Sequence, residues 1–258
     1  MSATRELLLR YLRQQAELGN GIWFLESLTV EELRAALRRD PDWPTRTGDA
    51  ASAELATSPR SRLAEPVAGY AAAAPLDVLR AEACVCTRCR LAETRRQVVF
   101  GEGSSTADVV VVGEAPGGEE DRTGRPFVGR AGKLLDLLLL SVGFPRDRVF
   151  ICNVLKCRPP NNRDPLADEV SSCAPYLRRQ IELIDPRVLL AVGRFAAQSL
   201  CATDEPMSRL RGSVRSYGAV PVVATYHPAY LLRSPDAVRS AWQDFQLLRR
   251  VHDERVLA

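Results

Sequence analysis

The stretch VVVVGEAPGGEEDRTGRPFVGRAGKLLD, residues 109–136, decides the fold. With the residues before it, the stretch opens as ADVVVVG (107–113), a short apolar run of the kind found in strands buried on both faces. Its last residues, AGKLLD, open a leucine run at helical spacing that reads on to Gly143. A strand that passes through a glycine-rich loop into a helix is the first half of a β-α-β unit. The loop is not a phosphate cradle. A Walker loop needs glycine where Phe127 stands and Ser or Thr where Leu134 stands. The loop carries instead Glu114, Glu119, Glu120 and Asp121, and a Phe127 that reads as exposed between Pro126 and Gly129.

Outward from this stretch the pattern repeats. RVFICNVLKC (148–157), PRVLLAVG (186–193) and VPVVATYHP (220–228) read as further strands. DEVSSCAPYLRRQIELI, RFAAQSL and SAWQDFQLLRRVH read as helices. The alternation predicts an α/β fold with a parallel four-stranded central sheet flanked by helices. Such sheets hold ligands off the carboxyl ends of their strands. GEAPGG, NVLKCRPP, GRFA and YHPAY all begin at that edge. Upstream, residues 1–40 predict a helical appendage, with Leu7, Leu8, Tyr11, Leu12 and Leu18 at helical spacing and a capping box from Thr29 to Glu32. Residues 41–75 are rich in Pro, Ala, Ser and Thr and read as a flexible linker, so the α/β domain is expected over 76–258.

Bulk properties exclude more than they identify. The 258 residues carry a net charge of +3, too mild to announce nucleic acid. The cations are arginine except for Lys133 and Lys156. No apolar run is long enough to span a membrane, and the N-terminus lacks the apolar core of a signal peptide. A cytoplasmic protein with no membrane partner is expected.

Seven cysteines are more informative. A cytosolic chain seldom spends cysteine on disulfides, so a grouped set points to metal or redox chemistry. Cys86 and Cys89 form C-x-x-C, Cys157 follows a predicted strand, and Cys173 lies in the next predicted helix. The four could hold an iron–sulfur cluster or zinc, with Cys84 competing for the first position. Ordinary buried thiols are the alternative, and Cys152 and Cys201 read that way. A zinc deaminase is excluded, because Val85 precedes the C-x-x-C and neither His227 nor His252 begins an H-x-E.

At the strand ends, Glu114, Asn153, His227 and Phe127 supply a carboxylate, an amide, an imidazole and an aromatic face. Singly, each has an ordinary structural role; His252, near the end of the last helix, keeps only that role. As a set they suit N-glycosidic hydrolysis. A carboxylate can stabilise the sugar cation and position water. An imidazole can hydrogen-bond the carbonyl oxygen of the departing base. An amide can read the base's edge, and an aromatic ring can stack on an extruded base.

GEAPGGEED, GRPFVGRAGKLLD, NVLKCRPPNNRDP, the later Cys173 and TYHPAYLLR occur in this order within residues 76–258. In that arrangement the sequence resembles the family 4 uracil-DNA glycosylases, the iron–sulfur enzymes of the uracil-DNA glycosylase superfamily. The resemblance implies the parallel four-stranded fold and base-excision repair of uracil in DNA by N-glycosidic hydrolysis, leaving an abasic site. It implies a [4Fe–4S] cluster on Cys86, Cys89, Cys157 and Cys173. It gives Glu114 the water-handling or cation-stabilising role, His227 the uracil O2 side and Asn162 a place near the reacting sugar. Phe127 stacks, Asn153 reads uracil, Glu120 crowds the C5 edge, and backbone around Ala115 and Gly117 helps bind the base. One superfamily relative forms a covalent adduct through a histidine after the second strand. CRPPNNRDP has none, so turnover by hydrolysis is expected.

Leu231, Leu232 and Arg233 follow His227 in a segment expected to wedge into the duplex. Arg122, Arg125, Arg130 and Arg158 are candidates for flanking phosphates. The expected partner is uracil-containing single- or double-stranded DNA, bound by a monomer whose residues 1–75 are available to a protein partner. A catalytically weak iron–sulfur DNA-binding or sensor module is the alternative, marked by DNA binding without base release.

Overall fold

Alternate residues of the central strands pack on opposite faces of one sheet. The computed structural model describes residues 75–257, so the appendage expected for 1–40 and the linker expected for 41–75, save Pro75, lie outside the described residues; Pro75 opens the first helix rather than ending a linker. The elements are α1 (Pro75–Cys84), α2 (Leu91–Thr94), β1 (Glu102–Gly103), β2 (Val109–Gly113), α3 (Gly118–Thr123), α4 (Arg130–Ser141), β3 (Phe150–Asn153) and α5 (Ala167–Ile184). They continue with β4 (Val188–Val192), α6 (Arg194–Cys201), α7 (Met207–Leu210), β5 (Val214–Tyr217), β6 (Val220–Thr225), α8 (Pro228–Leu231) and α9 (Val238–Leu257).

Along β2, Val110 and Val112 join one core with Leu189, Ala191, Val222 and Ala224, covered by α1, α5 and α6 residues such as Leu79, Leu177 and Ala197. Val109 and Val111 face the other core, with Leu190 and Val223, covered by Leu135 and Leu139 of α4 and Phe245 and Leu248 of α9. Burial on both faces is why these strands are nearly all Val, Ile, Leu and Ala.

The four expected strands pair in parallel in the order β3-β2-β4-β6. The sheet itself has six strands, which corrects the four-stranded expectation. β1 runs antiparallel to β3 on one edge and β5 antiparallel to β6 on the other. β1 has two residues, too few to show a period. β5, VRSY, alternates exposed and half-buried residues and carries no apolar run. It exists because Gly218 and Ala219 turn the chain so that Tyr217 pairs with Val220. The second expected strand is also shorter than RVFICNVLKC. Regular pairing stops at Asn153, and Val154 and Leu155 instead donate their N–H groups to the Gly113 and Glu114 carbonyls. This keeps the 154–157 segment against the loop that follows β2. Within the stretch read as loop, Gly118–Thr123 forms α3.

Candidate active site

The loops beyond β2, β3 and β6 enclose a cavity of about 470 Å³. Glu114, Ala115, Gly117, Glu120, Phe127, Asn153, Asn162, His227 and Arg233 all line it. Glu114 follows the last residue of β2, Asn153 ends β3, and His227 caps α8 two residues beyond β6. β2 lies between β3 and β4 in the sheet, so Glu114 sits where the strand order turns back.

Convergence depends on absent side chains. A Cβ on Gly113 would stand 2.3 Å from Asn153 Oδ1 and 2.6 Å from Phe127 Cζ. A Cβ on Gly132 would lie 1.8 Å from the Phe127 carbonyl oxygen. Phe127 is itself only 7% exposed, which corrects its reading as an exposed loop residue. Its φ of 49° is left-handed, a conformation that costs a residue with a Cβ about 1–2 kcal/mol. Neighbouring groups hold it there. Arg146 Nη2 donates to the Pro126 carbonyl at 2.6 Å and Nη1 to the Phe127 carbonyl at 3.3 Å. Glu102 and Asp136 pair with the same guanidinium. From the other side Glu120 Oε1 accepts from Val128 N at 3.0 Å and Gly129 N at 3.1 Å. Glu120 therefore fastens the Phe127 loop as well as lining the cavity. The Arg146 clamp was not foreseen; a single loop arginine gives no signal of it.

The electrostatics separate the polar groups. His227 Nδ1 accepts the Ala229 N–H at 3.1 Å, which places the proton of the neutral ring on Nε2. Burial, reinforced by Arg233 and opposed by Glu120, pulls its pKa down to about 4. The ring is thus a neutral Nε2–H donor near pH 7. Phe127 and His227 lie with ring centroids 5.7 Å apart. Burial raises the Glu114 pKa, Asp164 adds to the effect and Arg194 opposes it. Asn153 is 1% exposed, and its Oδ1 has no hydrogen-bond partner among the described residues. A buried amide oxygen left unpaired costs about 1–3 kcal/mol, and among the described residues Asn153 is the one with such an atom that also lines this cavity. Asn162 also has a left-handed φ, of 53°, and its Oδ1 accepts from Arg158 Nε at 2.8 Å.

Of the expected DNA contacts, Arg233 lines the cavity. Leu232 is 44% exposed, whereas Leu231 is 2% exposed and belongs to the core beside α4 and α9. The wedge expectation for Leu231 is therefore corrected: α8 turns it inward. Arg122 and Arg125 form exposed ion pairs with Glu119 and Glu102, and Arg130 is exposed at the start of α4. His252 pairs with Asp253 and Asp108 and meets Phe144 edge-on, away from the cavity.

Cys86, Cys89, Cys157 and Cys173 line one small cavity of about 20 Å³ with Ala83, Arg95, Lys156 and Tyr176. Cys84, exposed at the end of α1, is not in its wall, so the structure favours Cys86 for the first position. Two sulfurs already accept hydrogen bonds, Cys173 from Lys156 N and Cys157 from Arg95 Nη1, each at 3.3 Å. Burial pushes the Cys157 thiol up to about 11, so metal binding there would displace protons. Burial and a hydrogen bond to Cys86 push the Tyr176 hydroxyl up to about 12. Four sulfurs around one cavity, two of them taking N–H donors, fit a thiolate-held group.

A mixed sheet with a parallel centre, carrying a carboxylate, an amide with an unpaired oxygen, a neutral imidazole and an aromatic ring at its strand ends, defines an α/β protein with the groups needed to hold a planar polar ring. The family model of the uracil DNA glycosylase superfamily matches residues 100–246. The type-4 uracil-DNA glycosylase of Archaeoglobus fulgidus is 46% identical over 179 residues, covering 66% of this chain and 90% of the relative. That of Sulfurisphaera tokodaii is 40% identical over 185 residues, 68% of this chain and 84% of the relative. That of Thermotoga maritima is 48% identical over 151 residues, 58% of this chain and 79% of the relative. The chain belongs to the uracil DNA glycosylase superfamily, among its type-4 members.

Proposed function

We propose that this chain excises uracil from DNA by hydrolysing the N-glycosidic bond and leaves an abasic site. The unpaired, buried Asn153 Oδ1 carries the reading. Uracil offers an N3–H donor beside two carbonyl acceptors, so Oδ1 accepts N3–H while the amide N–H₂ donates to O4. Cytosine presents the opposite pattern at both atoms and would leave the amide unsatisfied. Phe127 stacks on the extruded base. The His227 Nε2–H donates to O2, where negative charge grows as the bond to the sugar breaks. A neutral Nε2–H is a far weaker acid than an imidazolium, so it stabilises the oxyanion by a hydrogen bond and keeps its proton. Glu114 faces the sugar side, stabilises the cation there and orients the attacking water; its raised pKa makes it a better proton acceptor than an exposed carboxylate. Asn162 acts near the reacting sugar, and Glu120 crowds the base's C5 edge while holding the Phe127 loop. Ala115 and Gly117 supply backbone at the base. Arg233 and Leu232 meet the DNA at the rim.

Cys86, Cys89, Cys157 and Cys173 would hold a [4Fe–4S] cluster. The support for this reading is that the four thiols line one small cavity and that two of them already take N–H donors, as cluster-bound sulfurs do. The cluster's contribution is cross-linking, fastening the segment around 84–90 to residues 157–173, since glycosidic hydrolysis needs no electron. No helix among the described residues is long and apolar enough to cross a membrane. The test is an oligonucleotide with one uracil, incubated with iron-loaded protein and then heated in alkali. Strand breaks at the uracil are expected. Tight DNA binding with no breaks would sink the reading and favour a silent binding module.

A further inference from the structure

Lys156 stands between the two cavities and is only 2% exposed. Its ammonium donates to the Asn153 carbonyl at 2.7 Å and to Gln180 Oε1 at 2.5 Å. Gln180, fully buried in α5, in turn donates to the Phe100 carbonyl at 2.8 Å. The Cys152 thiol is within hydrogen-bonding reach of the same ammonium. The backbone of Lys156 faces the other way: its N–H donates to Cys173 Sγ, and the residue lines the cysteine cavity. A buried ammonium is costly without a counter-charge. Among the described residues no carboxylate is in a hydrogen bond or ion pair with it.

We propose that Lys156 is a positioning residue that couples the cysteine-held group to base reading, by anchoring its ammonium on the backbone of Asn153. This rests on Asn153 as the uracil reader. The Lys156 N–H on Cys173 Sγ ties the residue to the cysteine cavity, and its Nζ on the Asn153 carbonyl fixes the end of β3 from which the Asn153 amide projects. A residue needed only for packing would affect every DNA ligand alike. A residue that positions Asn153 affects the distinction between uracil and cytosine, because that distinction resides in the amide.

The experiment uses iron-loaded, full-length protein and two uncleavable strands, identical except for one 2′-fluoro-deoxyuridine or 2′-fluoro-deoxycytidine. Dissociation constants are read by fluorescence anisotropy, and iron per chain is measured alongside. The wild-type protein is expected to prefer the uridine strand. Lys156→Met is expected to cut that preference about tenfold, with unchanged iron and unchanged affinity for the cytidine strand. Equal weakening on both strands, or an unchanged preference, overturns the proposal. Where Lys156→Met loses iron or fails to fold, Gln180→Met decides, since it removes the ammonium's side-chain acceptor; about a threefold fall in preference supports the proposal and none overturns it. A wild-type protein with no preference would overturn the uracil-reading assignment instead.

Discussion

The substrate cavity and the cysteine cavity share one short piece of chain, Asn153 to Cys157, yet they are built in opposite ways. The first is about 470 Å³; the second, about 20 Å³. In the first, an amide oxygen is buried without a partner, and Phe127 and Asn162 hold left-handed backbones. In the second, sulfurs take N–H donors from the chain itself and the remaining wall includes Ala83, Ala92 and Tyr176. Unsatisfied polarity and local strain mark a surface shaped for a ligand that comes and goes. Sulfurs that take N–H donors inside a small apolar wall mark a place with little room for a ligand that exchanges.

Breaking the open cavity should have the largest effect. Glu114→Ala and His227→Ala are each expected to slow single-turnover uracil release on the order of 10³-fold, with little loss of DNA affinity. Rapid-quench kinetics with a binding isotherm checks this; unchanged rates in both variants would remove their assigned roles. Breaking the closed cavity should act on stability instead. Cys157→Ser is expected to lose iron and visible absorbance and to melt about 10 °C lower. Its single-turnover rate per folded molecule at low temperature should fall less than tenfold. A rate loss as large as that of Glu114→Ala, without a fall in melting temperature, would erase the distinction between the cavities.

The smallest effect is on pH dependence. Glu114 must be ionised to act, and its pKa is raised above 4.5, so the rate should decline as pH falls through that raised value. Glu114→Gln should flatten this acid limb. His227 adds a stability effect of defined sign. Its pKa is about 4 in the folded protein and near 6.5 when unfolded, so between these values the unfolded chain binds the extra proton. Stability present above pH 6.5 is therefore lost as pH falls toward 4, and His227→Gln should blunt the loss in denaturant melts at pH 7 and 5.

Much of the sheet was legible because burial on both faces leaves only apolar residues in β2, β4 and most of β6. Its edges were not, since β1 is two residues long and β5 exists through its hairpin with β6. The pocket residues were legible as chemical types at predicted strand ends. The clamp on Phe127 was not, because Arg146 reaches the Pro126 and Phe127 carbonyls from beyond α4 and is held there by Glu102, distant in sequence. Leu231 and Leu232 look alike as letters; the direction of one helical turn buries the first and exposes the second.

The order of strands and helices, the kinds of group at the strand ends and the spacing of the cysteines belong to the sequence alone, because periodicity and residue type are local properties. Tertiary structure decided that His227 is neutral, that the Asn153 oxygen lacks a partner, that Cys86 rather than Cys84 reaches the cavity, and that Lys156 lies between the two sites. Burial, electrostatic fields and hydrogen-bond partners come from residues distant in the chain, and only the folded chain brings them together.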